Sequence, residues 1–255
     1  MTSVPELYSC PIGFMDETMT LPKPKASLAP AHVIILEELL RNGVHTNACL
    51  HTARFSHWTF NAVTKLTAAL VERRFLNKHP LCPPQYYFTL GPQAVRYFGV
   101  SRRRTNPLGP QALPTQFGAL YFCIHSGQRQ ARLLPQELQA TYPWFPRSQL
   151  SLPFYFDLEP ETQRSRLALI RTDLGAPADY LVRRCQHDLT ARRSSAPEFA
   201  RLIDAGDFMV TYVVATSDKA QSLSIALAKH SWPIRFRIAI CSPLLGLLSR
   251  FPNGA

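Results

Sequence analysis

Residues 31–75, AHVIILEELLRNGVHTNACLHTARFSHWTFNAVTKLTAALVERRF, break at Asn42-Gly43 and at Phe55-Ser56 into three segments. In the first, Val33, Ile34, Ile35, Leu39 and Leu40 fall on one helical face, and Gly43 supplies the stop. The second, 44–55, predicts a short helix capped by Thr46. In the third, Phe60, Val63, Leu66, Leu70 and Val71 repeat at helical spacing, so a longer helix is expected after a cap at Ser56. Its inner face would pack on the first two helices, leaving His57, Thr59, Asn61, Thr64, Lys65 and Thr67 outward. Beyond it, FLNK (75–78), the turn HPLCPP (79–84) and QYYFTL (85–90) predict a β-hairpin, and Pro92 opens a helix in GPQAVRYFGV (91–100). Helix, short helix, capped helix and hairpin is the order of a winged helix-turn-helix, whose third helix enters the major groove.

The charge of this region points to a polyanion. From Arg41 to Arg104 there are ten Lys or Arg (41, 54, 65, 73, 74, 78, 96, 102, 103, 104) against one acid, Glu72. A duplex carries about one negative charge per 1.7 Å of axis, and a cationic surface gains affinity by releasing condensed counterions. The whole chain of 255 residues has a net charge of +11, and its apolar content of 46% suffices for a sizeable core.

Length and composition suggest an N-terminal arm (1–29), a winged-helix domain (30–104), a linker (105–116) and a second domain (117–255). The linker follows from RRRTNPLGPQALPTQ (102–116), which joins a basic triplet to three prolines. In the second domain FGALYFCI (117–124), LPFYFDL (152–158), RLALIRTDL (166–174), FMVTYVVAT (208–216) and IRFRIAICS (234–242) read as strands. ADYLVRRCQHDLTARR (178–193), APEFARLIDAG (196–206) and SDKAQSLSIALAKH (217–230) read as helices. The expected class is therefore α+β, with an α/β second domain around a mixed sheet. Leu244, Leu245, Leu247 and Leu248 would make a last core helix or an interface.

The six cysteines are scattered without a CxxC pair, which favours reduced thiols in a cytoplasmic protein over disulfides or zinc. No apolar run approaches the ~18 residues of a membrane span, and the first residues do not read as a signal peptide. Phosphate loops and activated-nucleophile motifs are missing from the sequence.

Three stretches carry a resemblance: LVERRFL (70–76), YYFTLGPQAVRYFG (86–99) and LALIRTDLGAPADYLVRRCQHDL (167–189). They resemble the replication-relaxation family of plasmids and integrative elements, whose C-terminal half is similar to restriction-endonuclease-like folds. The resemblance implies DNA binding in replication, mobilisation (conjugation), or control of transcription. It also implies a nuclease-like pattern of an acid on one strand and Glu/Asp-x-Lys on the next, holding a divalent cation. Here the pattern is degraded. Arg171 stands two before Asp173 and Gly175 two after it, where a lysine is wanted, and Lys219 follows only a later strand. Asp173 to Asp179 reads better as a strand end, a glycine turn and a helix cap at Asp179.

The DNA-contacting set expected is Arg54, Ser56, His57, Thr59, Asn61, Thr64, Lys65, the hairpin-tip pair Lys78 and His79, and Arg102, Arg103 and Arg104. Asn61 suits adenine, Lys65 guanine or phosphate, and Thr59 a thymine methyl. The Arg triplet suits sequence-neutral phosphate contacts. His45, His51 and His57, six apart, are expected at the surface or facing phosphate. The function expected is non-catalytic DNA binding, with no cofactor and no metal. One alternative is a Mg-dependent endonuclease using Asp157 or Asp173, with Glu159, Asp179 and Lys219 nearby. The other is an interaction module of a DNA-processing assembly. The partners expected are double-stranded DNA, replication, mobilisation or transposition proteins, and a second copy of the chain on a two-fold site; a membrane is not among them.

Overall fold

The structure, a computed structural model, describes residues 28–126, 130–159 and 164–250. The predicted arm lies, up to residue 27, outside the described residues, as does Cys10.

The first half follows the expected order. Helix α1 (Pro30–Asn42) begins with proline at its first position and ends on Gly43, whose φ of 76° is the left-handed stop. Helix α2 (Asn47–Arg54) is capped by Thr46, whose hydroxyl accepts the Cys49 N–H. Helix α3 (Phe60–Glu72) starts later than its sequence suggests: Thr59 is the cap, accepting from the Ala62 N–H, and Ser56 stays exposed in the loop before it. Strands β1 (Leu76–Pro80) and β2 (Tyr86–Leu90) pair antiparallel, with Leu76 opposite Leu90. His45, between α1 and α2, exchanges two backbone hydrogen bonds with Phe88 and so adds a one-residue third strand. Helix α4 (Pro92–Phe98) follows the hairpin. Gly91 makes that return feasible, since a Cβ there would lie 2.4 Å from the Arg74 carbonyl oxygen.

A 3-10 turn at Arg102–Thr105 packs on α4 and β2, and helix α5 (Ala112–His125) then occupies the stretch expected as linker end and first strand. FGALYFCI is therefore helix, not strand. Leu113, Phe117, Ala119, Leu120, Phe122 and Cys123 are all buried, so nearly every face of α5 is covered. Helix α6 (Pro135–Thr141) precedes the sheet.

The sheet is mixed, with order β3 (Phe154–Leu158), β4 (Ser165–Thr172), β5 (Phe208–Val214), β6 (Arg235–Ile240). β3 runs antiparallel to β4, and β4, β5 and β6 are parallel. Helices α7 (Ala178–Ser195) and α8 (Pro197–Asp204) cross from β4 to β5, and α9 (Ser217–Ala228) from β5 to β6. All three pack on one face, over Phe154, Leu167, Leu169, Phe208, Val210 and Tyr212. The opposite face, with Tyr155, Ala168, Ile170, Met209 and Val213, receives α5 and α10 (Leu244–Arg250). Leu244 and Leu247 are buried there, while Leu245 stays exposed, so the leucine cluster is mainly core.

That second core also takes in Val44, Cys49, Leu81 and Tyr87 from the first half. The hairpin tip is pinned against α10, where the Arg250 guanidinium donates to the Leu81 carbonyl. Arg41 makes a two-pronged contact with Glu137 at 2.7 Å per bond and donates to the Arg132 carbonyl, tying α1 to α6. The five described cysteines carry free thiols. No helix among the described residues is long and apolar enough to cross a membrane.

Candidate nucleic-acid interface

Helix α3 buries Val63, Thr67 and Leu70, and its opposite side exposes Asn61, Lys65, Ala68 and Glu72, four positions on one helical stripe. Ser56, His57 and Thr59 are exposed in the loop that leads into it, with Trp58 leaning on Phe55 at 5.2 Å. His51 Nε2 donates to the Trp58 carbonyl at 2.9 Å, so this loop is held from α2.

Two of the residues read as outward are otherwise engaged. Thr67 is buried and donates to Asn47 Oδ1 at 2.9 Å. Thr64 is half-buried, receives Asn47 Nδ2 at 3.3 Å and donates to the Phe60 carbonyl. Both lock α3 onto α2.

The cationic set thins in the same way. Glu38, which precedes the counted stretch, is buried and binds the Arg54 guanidinium, while the His45 ring lies 3.5 Å from its other oxygen. Burial would raise the Glu38 carboxyl, but His45 and Arg54 outweigh it and hold it down at about 2. The exposed Arg54 is thus paired with a buried carboxylate, and His45, expected at the surface, is fully buried. Arg41 is matched by Glu137. All three arginines of the triplet are exposed, and Arg104 donates to the Leu40 carbonyl at the end of α1. Carboxylates from outside the nearly acid-free stretch, Glu38 and Glu137, thus oppose part of its charge.

Lys78 and His79 lie within β1 and not at the tip, which is residues 81–85. Lys78 is exposed and sits 3.8 Å above the Tyr86 ring. His79 is half-buried, shares a 2.9 Å hydrogen bond with Thr89 Oγ1, and is pushed below its ordinary pKa by burial, which favours the neutral ring. Between α3, the hairpin and α5 runs an apolar cleft of about 720 Å³, walled by Phe60, Tyr86, Phe117 and Tyr121. This cleft exists because residues 112–125 form a helix where their apolar run predicts a strand.

The acids of the endonuclease alternative do not meet. Asp157 pairs in register with Arg166, seven residues along β4 from Asp173, which at ~3.3 Å per residue sets them on the order of 20 Å apart. Asp157 faces the Arg237 guanidinium at 2.8 Å. Asp173 accepts the Gly175 and Ala176 N–H groups and lies 3.6 Å from Lys219 Nζ, which also donates to the Ala176 carbonyl. Glu159 binds Arg166 and Arg235. Asp179 sits in the first turn of α7, one residue inside the helix, whose cap is Pro177. Among the described residues no three His, Cys, Asp or Glu side chains converge as a metal site.

Comparison with protein-family models, curated proteins and solved structures finds no match to this chain.

Proposed function

We propose that residues 30–104 are a winged helix-turn-helix that binds duplex DNA, in a non-catalytic protein of a mobile genetic element acting in replication, mobilisation or transcriptional control. The observation that carries this reading is the stripe Asn61–Lys65–Ala68 on α3. It is solvent-exposed on a helix whose other faces are fixed by α1, α2 and the hairpin. A helix so held is the element that fits a major groove about 12 Å wide, and its first turns meet base edges. The His45–Phe88 bridge and the following hairpin support the same assignment, as does the net charge of +11. In this reading the second half is a degenerate nuclease-like scaffold. Its would-be catalytic acids, kept at opposite ends of β4, serve turns and ion pairs. The similarity of residues 70–76, 86–99 and 167–189 to replication-relaxation proteins supplies the biological setting.

The test is duplex affinity as a function of salt. Log affinity should fall with log salt at a slope of about −0.9 per phosphate neutralised, and Lys65→Ala should make it shallower by about one contact. Asn61→Ala should cost about 1–3 kcal/mol on a selected site and little on random duplex. Undetectable binding at low salt, or an affinity indifferent to both substitutions, ends the proposal.

A further inference from the structure

A second cleft, also of about 720 Å³, opens at the carboxyl end of β4. β3 ends its pairing early: Ile170 N–H donates to the Pro153 carbonyl, and β4 then runs on through Arg171 and Thr172 paired with β5 alone, with no strand on its β3 side. The walls come from α5 through Gln111 and Thr115, from the loop after β4, and from α7 through Tyr180, Leu181 and Arg184. In open α/β sheets this position, outside the carboxyl ends of parallel strands, is where ligands bind.

The charge of the lining is one-sided. Arg171 and Arg184 contribute, and no carboxylate does. Asp188, on α7 outside the lining, binds Nη2 of Arg171. The Nε–H of Arg171 is buried without a hydrogen-bond acceptor among the described residues. A buried donor left unpaired carries a cost, so Arg171 keeps hydrogen-bonding capacity that Asp188 does not use. Arg184 is exposed one turn earlier on α7, beside the Tyr180 ring, which is 45% exposed. Leu152, Leu174 and Leu181 complete an apolar wall.

We propose that this cleft binds a nucleoside phosphate, with the phosphate on the Arg184 and Arg171 guanidinium groups and the base laid against Tyr180 and the leucines. A planar, delocalised guanidinium matches phosphate oxygens, and an exposed tyrosine ring accepts any base by stacking. The volume lies within the range of about 300–1,000 Å³ typical of small-ligand sites. Two sources share this chemistry: a free nucleotide and the phosphorylated end of a nucleic-acid strand. The site is independent of α3, so duplex affinity through Asn61 and Lys65 is a separate readout, and either can fail alone.

The experiment titrates the full chain by calorimetry with 2′-deoxyadenosine 5′-monophosphate, and with a short single strand carrying or lacking a 5′-phosphate. Deoxyadenosine and inorganic phosphate serve as controls. Saturable binding is expected for a phosphorylated probe, weaker for either control, and reduced about tenfold or more by Arg184→Gln and by Tyr180→Ala. Both side chains are exposed, so the melting temperature should stay put. Preference for the mononucleotide assigns a free nucleotide; preference for the 5′-phosphorylated strand over its dephosphorylated twin assigns a strand end. Failure of every phosphorylated probe to saturate, or binding that survives both substitutions, overturns the proposal.

Discussion

Glu38 shows how a single side chain changes the meaning of a basic region. Its carboxyl sits near 2 in the folded chain against an ordinary 4.5, because His45 and Arg54 stabilise the charged form against burial. At 1.36 kcal/mol per unit, the depression contributes on the order of 3 kcal/mol. That contribution is complete above about pH 4.5 and disappears as pH falls from there towards 2, since the unfolded chain takes up the proton first. Denaturant unfolding followed between pH 6 and pH 2.5 should show this loss, and Glu38→Gln should flatten it while lowering stability at pH 7 by a few kcal/mol. A Gln variant with an unchanged pH profile would remove Glu38 from the account. None of this was legible from the residues in order. Glu38 and Arg54 lie on different helices, at a separation no local pattern marks, so Arg54 looked like a free cation.

At the scale of elements, the legible helices are those with one solvent face, and the legible strands are short apolar runs whether or not a face is exposed. α1, α2, α3, α7 and α9 alternate apolar and polar residues at helical spacing, and β3 to β6 stand out as short apolar runs. α5 escaped because it is enclosed by β4 and β5 on one side and by α2 and α10 on others, and a helix apolar all round has no period to read. Its approach to β4 rests on Gly118, where a Cβ would stand 2.6 Å from Thr172 Oγ1. Gly118→Ala should therefore cost about 1–3 kcal/mol by overpacking. Combining it with Thr172→Ala should recover part of that cost, which equilibrium unfolding of the single and double variants measures. Simple additivity would mean that α5 shifts freely and the contact is not tight. The start of α3 offers a sharper contrast. Thr59→Ala removes the cap and should cost about 1 kcal/mol, whereas Ser56→Ala, at the residue the sequence favoured, should stay within about 0.5 kcal/mol. The exposed pair Asn61 and Lys65 was readable from spacing. The retreat of Thr67 and His79 from the surface was not, because each is drawn in by a partner on another element.

For the whole molecule, the core that joins hairpin, α5, sheet and α10 is the feature with the widest consequence. Leu81 and Tyr87 of the hairpin share it with Leu113, Phe117, Tyr155, Leu244 and Leu247. The Arg41–Glu137 and Arg250–Leu81 contacts span the same seam. Two halves joined this way should unfold together, since losing either exposes buried apolar surface on the other. Leu81→Ala in the hairpin and Leu244→Ala in α10 each delete a fully enclosed side chain and should each cost about 2–5 kcal/mol. Both should lower one common thermal transition, with matching calorimetric and van't Hoff enthalpies. Two separated transitions, with Leu81→Ala moving one and Leu244→Ala the other, would show that the seam carries little energy. A single transition has a bearing on recognition as well: α3 would then be presented to a duplex by the entire body, so that Leu244→Ala, remote from α3, should weaken duplex affinity only near the melting temperature, where the seam opens, and leave it intact well below.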